Sequence, residues 1–175
     1  MKIFKRALPF LVAFAAVLFD QLTKGLAVAH LKPVGTVPLI DGVFHFTYTT
    51  NPGAAFSLFA AEDQRWIFMT VSSIAIVGMI VYLSLVKKQP LLLNVAVGML
   101  LGGGIGNMID RIFVGEVVDF LDFRLINFPI FNVADCFVCV GAALLFLAFI
   151  LDWRREIREE AAKKAAEEHN DTAGM

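Results

Sequence analysis

Charge is thin in this chain: Asp, Glu, Lys and Arg make up 18% of its 175 residues, against about 25% in ordinary soluble domains. The charges nearly cancel, leaving a formal net of -1. With no basic excess, basic stripe or zinc-finger spacing there is nothing to hold a polyanion, and no nucleic-acid partner is expected. Cysteine is limited to Cys136 and Cys139. Their Cys-x-x-Cys spacing suits a redox pair or half a metal site, but both stand at the start of an apolar run with no second pair elsewhere. We expect helix-packing residues there and assign no disulfide. Three histidines, His30, His45 and His169, are scattered without metal-ligand spacing. Ser57, Ser72, Ser73 and Ser84 have no nearby His or Lys in a nucleophile arrangement, so covalent catalysis has no candidate. No internal repeat or low-complexity tract is evident.

Apolar residues are what the chain has in excess. They make up 58% of it, and the mean hydropathy is +0.73. They are gathered into four runs, roughly residues 7–29, 65–86, 91–113 and 133–151, each of about the 20 residues that a membrane span needs. Ala27-Val28-Ala29 imitates a signal-peptide cleavage site, but Asp20 and Lys24 interrupt the run before it, and a retained first helix is expected. Lys2, Lys5, Arg6, Lys87, Lys88, Arg154, Arg155, Arg158, Lys163 and Lys164 would share one side of the membrane. Lys32, Arg65, Arg111 and Arg124 are left on the other, so both termini are expected in the cytoplasm and the remaining loops outside. The spans make one domain, residues 1–152. Residues 153–175, with Glu156, Glu159, Glu160, Lys163 and Lys164 at helical spacing, make a charged, solvated helical tail.

The first outer loop has a strand pattern: Phe44, Phe46 and Tyr48 alternate with His45, Thr47 and Thr49. Asn51-Pro52-Gly53 breaks it, and Ala54 to Phe59 is apolar enough to lie at the membrane interface.

Ionisable residues inside a membrane are costly, so those in the spans are functional candidates. Asp20 and Lys24 share a helix face, either as a structural ion pair or to orient a loop or substrate. Gly103, Asn107, Asp110 and Arg111 share a face near the outward end of the third span, where glycines let another backbone approach. Helix packing with an interfacial Asp-Arg pair is the plainer account of that face. Asp119 stands among apolar neighbours that can raise its pKa, whereas Asp122 reads as a solvated loop acid. Asn132 and Asp135 open the fourth span as a helix-capping pair would. Capping alone leaves unexplained the second acid, Asp119, sixteen residues earlier on the same side in an equally apolar setting. Two carboxylates sharing a site cannot both ionise easily: one stays protonated while the other is a base able to activate water against a peptide carbonyl. A proton-coupled transporter also uses buried acids, though usually near the midplane between repeats. A non-catalytic scaffold would use these acids only as caps and Arg111 partners.

In order along the chain, five motifs resemble those of the lipoprotein signal peptidases (signal peptidase II). They are Asp20-Gln21-x-x-Lys24, Asn51-x-Gly53-Ala54-Ala55-Phe56-Ser57, Gly106-Asn107-x-x-Asp110-Arg111, Val118-Asp119-Phe120 and Phe131-Asn132-x-Ala134-Asp135. The resemblance implies an all-α membrane protein of four transmembrane helices with a small outer β-cradle and a short interfacial helix, in the bacterial cytoplasmic (inner) membrane. It implies an aspartyl endopeptidase with the catalytic pair Asp119 and Asp135, no metal and no cofactor. Asn107, Arg111 and Asn132 would support the pair, and Asp20, Lys24, Asn51, Gly53 and Asp110 would be structural or position the substrate. The implied substrate is a prolipoprotein bearing diacylglyceryl on its signal-peptide cysteine, cut just before that residue, and the implied inhibitor is of the globomycin type. Membrane lipids would flank the site, where Phe44, Phe46, Tyr48, Phe56 and Phe59 can accept acyl chains. The stretch from Asp122 to Pro129 is short beside family members with extra aromatic and polar residues there.

Overall fold

The computed structural model describes residues 2–52, 64–86 and 90–173, with side chains over 6–52, 66–86 and 90–164. Gly53, the interfacial segment Ala54 to Phe59, and Lys87 and Lys88 lie outside the described residues.

The apolar runs become helices α1 (Lys2–His30), α2 (Gln64–Leu85), α3 (Leu91–Phe113) and α4 (Val133–Ala173). Each holds a stretch long and apolar enough to cross a membrane: Arg6–His30, Trp66–Leu85, Leu91–Phe113 and Val133–Lys164. The chain is a multi-pass membrane protein. Its outer surface carries exposed Phe14, Leu18, Leu22, Ile67, Val71, Ile74, Phe146 and Phe149, a surface that suits lipid and not water.

Helix α3 lies at the centre, packed mainly on α1 and α4 and to a lesser degree on α2. Apolar area drives little association between helices already in lipid, so close backbone approach must do it. The glycines of α3 make that approach possible. A methyl group on Gly102 would meet Ala16 Cβ at 2.6 Å, and one on Gly103 would meet the Ala134 carbonyl oxygen at 2.5 Å. Gly102 thus seats α1, and its neighbour seats α4.

A three-stranded antiparallel sheet caps one end, in the order β1 (Thr36–Ile40), β2 (Phe44–Asn51), β3 (Val117–Asp122). Only β2 is legible from alternation. Strand β1 is an exposed edge containing Pro38, and such edges tolerate proline. The two acids of β3 disguise a segment that is almost wholly buried. Helix α3 ends at Phe113, and Gly115 just beyond it, with a φ of +98°, permits the sharp reversal into β3. After β3 a 3-10 turn, Arg124–Ile126, bends the chain back, so that Phe131 pairs with Leu121 just before α4 begins. At the far end, α4 runs on without a break to Ala173, every side chain from Leu151 to Lys164 exposed.

Candidate active site

The buried charged residues of the spans, Asp20, Lys24 and Asp110, converge at the sheet end of the bundle. Lys24, only 3% exposed, directs its ammonium to Asp20 Oδ2 at 2.9 Å, Asp110 Oδ2 at 3.0 Å and Asn107 Oδ1 at 2.8 Å. Those three contacts use all three of its N–H donors. Asp20, 0% exposed, also accepts from the Ala134 backbone N–H at 2.9 Å, tying α1 to the first turn of α4. Asp110 accepts from the Val118 N–H at 3.2 Å, tying α3 to β3. Gln21, quoted in a motif but given no role from sequence, donates to Asp20 Oδ2, the Gly106 carbonyl and Asp110 Oδ1 at 3.2, 3.2 and 2.9 Å. A methyl group on Gly106 would stand 2.5 Å from Asp20 Oδ2; only a glycine leaves room for the carboxylate. Buried ion pairs survive when their remaining hydrogen bonds are made, and here they also hold four elements in register. Asp20 and Asp110 are thus tied to α4 and β3 as well as to Lys24.

Asp119 and Asp135 come together through Asn132. Strand β3 places Asp119 opposite Thr49 of β2, and the Phe131–Leu121 pairing returns the chain to its side. Asn132, fully buried, donates from Nδ2 to Asp119 Oδ1 at 2.6 Å and to Asn107 Oδ1 at 3.1 Å. Its backbone N–H donates to Asp135 Oδ2 at 3.1 Å, while its Oδ1 accepts from the Asp135 N–H at 3.0 Å. This is the reciprocal capping pair expected of Asn132 and Asp135. Capping and pairing coexist: the same asparagine that caps α4 bridges the two acids. Asp135 Oδ1 accepts from Asn107 Nδ2 at 2.8 Å.

Burial pushes the Asp119 carboxyl up to about 6, helped by the negative charge of Asp135, against the opposing hydrogen bonds from Asn132 and Asn51 and the charge of Lys24. That is the range in which a carboxyl exchanges protons near neutral pH. Arg111 stands within electrostatic reach of Asp135, Asp119 and Asp110, donates to the Asn107 carbonyl at 3.3 Å, and lies 5.6 Å over the Phe68 ring. Of the ten expected site residues, nine thus gather at one end of the bundle, and Gly53 lies outside the described residues.

The reading of Asp122 as a solvated acid is corrected. Asp122 is 6% exposed and accepts from Thr47 Oγ1 at 2.7 Å and Arg124 Nε at 2.9 Å. Although its burial pulls upward, these partners hold the carboxyl below its ordinary value. No local pattern marks Asp122 as buried, because its partners lie on β2 and on the turn that follows β3. Beside it Phe44, Phe46, Phe123, Phe128 and Phe131 form a continuous aromatic surface, with neighbouring ring centroids 4.6 to 5.8 Å apart. Cys136 and Cys139 are free thiols.

Fold and site together define a membrane-embedded enzyme with a carboxylate pair at one end of its helices. Two solved bacterial membrane enzymes share the fold, at TM-scores of 0.73 and 0.71, each 31% identical, covering 82% and 81% of this chain and 88% and 91% of theirs. The family model described as Signal peptidase (SPase) II matches residues 12–151. The lipoprotein signal peptidase of Halalkalibacterium halodurans is 43% identical, over 87% of this chain and 98% of its own. That of Bacillus subtilis is 40% identical, over 86% and 98%. The chain belongs to the signal peptidase II family and is a protease.

Proposed function

We propose that this protein is an aspartyl endopeptidase that removes the signal peptide from diacylglyceryl-modified bacterial prolipoproteins, cutting just before the lipidated cysteine. One observation carries the catalytic reading: a single buried residue, Asn132, hydrogen-bonds both Asp119 and Asp135. Asp119, with its raised proton affinity, is the acid, and Asp135 is the base. Asp135 takes a proton from a water as that water attacks the scissile carbonyl, while Asp119 protonates the carbonyl oxygen. The roles reverse as the tetrahedral species collapses and the amine leaves. Arg111 steadies negative charge at the pair, and Asn51 orients Asp119.

The aromatic surface of Phe44, Phe123, Phe128 and Phe131 beside the sheet suits acyl chains arriving from the bilayer. Membrane lipids line the approach, and globomycin-type cyclic peptides compete for it. Basic residues gather at the opposite end, at Arg6 and from Arg154 to Lys164. That asymmetry supports cytoplasmic termini in the inner membrane and an outward-facing site, with residues 153–173 as a cytoplasmic helical tail. The test is cleavage of a lipidated prolipoprotein by the purified protein in detergent. Asp119→Asn and Asp135→Asn should each lose cleavage while staying folded; parental rates in either would end the dyad reading.

A further inference from the structure

We infer that Lys24 is a positioning residue for the catalytic pair: its ammonium sets the orientation of the Asn107 side-chain amide, and that orientation turns an N–H donor toward Asp135. The inference rests on the aspartyl reading above and goes beyond it by assigning a function to a buried cation that touches neither acid of the pair.

An asparagine amide has two ends of similar shape and opposite hydrogen-bonding sense, so its neighbours decide which way it faces. Lys24 carries donors only. The Asn107 atom 2.8 Å from its Nζ must therefore be the oxygen. A second donor, Asn132 Nδ2, converges on that oxygen at 3.1 Å. Asn132 is itself oriented, because its Oδ1 accepts the Asp135 backbone N–H, a donor that cannot turn. With its oxygen engaged twice, Asn107 has only its NH2 group to present to Asp135 Oδ1, at 2.8 Å.

Lys24 is held rigidly enough to impose this. Asp20 and Asp110 take its other two N–H groups, and Gln21 cross-links those two carboxylates. At 3% exposure the ammonium cannot swing out to water. Without it, one restraint on the amide is lost. Asn132 alone then holds the oxygen, and each time the amide turns it sets an oxygen against the Asp135 carboxylate, acceptor against acceptor, so that the base loses its donor and its aim. A misplacement of about 1 Å in a reacting group can lower a rate on the order of 100-fold. Lys24 is enclosed by helices α1 and α3, so substrate affinity should change little.

The test measures kcat and KM on a lipidated prolipoprotein in detergent. Removing Lys24 alone strands two carboxylates, so Lys24→Met is combined with Asp110→Asn and compared with Asp110→Asn alone, the unfolding midpoint of each being measured. We expect kcat to fall on the order of 100-fold with KM within about threefold. Adding Asn107→Ala to the Lys24→Met/Asp110→Asn protein should then cost little more, because both changes remove the same alignment. In an otherwise parental protein Asn107→Asp, which replaces the donor end with oxygen, should lose a similar factor in kcat. A loss confined to KM, losses that multiply, or full activity of Asn107→Asp would each overturn the inference. Asp119→Asn is run alongside. Parental cleavage by it would sink the dyad reading itself, whereas an inactive Asp119→Asn beside an unaffected Lys24 variant would sink only the positioning role.

Discussion

Replacing Asn132 with alanine is the perturbation that reports most on this site. The side chain is fully buried and makes three hydrogen bonds: to Asp119 at 2.6 Å, to Asn107 at 3.1 Å and from the Asp135 N–H at 3.0 Å. Losing the cap of α4 costs about 1 kcal/mol, and losing a hydrogen bond to a buried carboxylate costs about 1.5 to 3 kcal/mol. A total of roughly 3 kcal/mol should lower the unfolding midpoint in detergent without abolishing the fold. The same bond favours the charged form of Asp119, so its loss raises the proton affinity of Asp119 further above the present value of about 6. One pH unit corresponds to about 1.4 kcal/mol, and the alkaline limb of kcat/KM should move up by on the order of one unit. That limb reports the free enzyme's acid. Cleavage is followed across pH for parent and Asn132→Ala, with kcat falling at every pH. An alkaline limb that stays in place or moves down, in a protein shown to be folded, would refute Asn132 as the bridge to the acid.

Gly106→Ala should destabilise the bundle by about 1 to 3 kcal/mol, because its methyl group would stand 2.5 Å from Asp20 Oδ2; an unchanged unfolding midpoint contradicts that packing. Asp122→Asn weakens the contacts to Thr47 and Arg124 and should cost about 1 to 2 kcal/mol. It should keep kcat within a few-fold, and abolished cleavage would show that Asp122 belongs to the chemistry. Folded Asp119 holds its proton up to about pH 6, whereas the unfolded chain releases it near 4. Stability from this group is therefore full below about pH 4 and declines as pH rises through about 6. The parent should lose stability over that window relative to Asp119→Asn, and parallel curves would contradict the raised affinity. Cys136→Ser and Cys139→Ser should retain cleavage, because both thiols are free; loss of activity with the fold intact would give them a part that packing does not.

Much of the fold was legible because a membrane span is a local property. Twenty apolar residues cross a bilayer whatever lies elsewhere in the chain, and the four runs match the four helices to within a residue or two, except that α1 begins earlier, at Lys2, and α4 continues into the tail. Asp20, Asp110 and Asp135 were legible as candidates for the same reason, since charge inside such a run is anomalous wherever it falls, whereas Asp119, between the runs, stood out by its apolar neighbours. Strand β1 was not legible. Its alternation is weak, it contains proline, and its pairing with β2 is what makes it a strand.

The partnerships were beyond any local pattern. Lys24 meets Asn107 across 83 positions and Asp20 caps Ala134 across 114; Gln21 and Asp122 acquire partners only when strands and helices close around them. By itself the sequence determined how many times the chain crosses the membrane and which polar residues stand out there. The tertiary structure decided which of those residues hold the frame and which share a hydrogen-bonded site. Hydropathy acts through composition along the chain, whereas a hydrogen bond needs two atoms within about 3 Å, a distance that only the packed bundle sets.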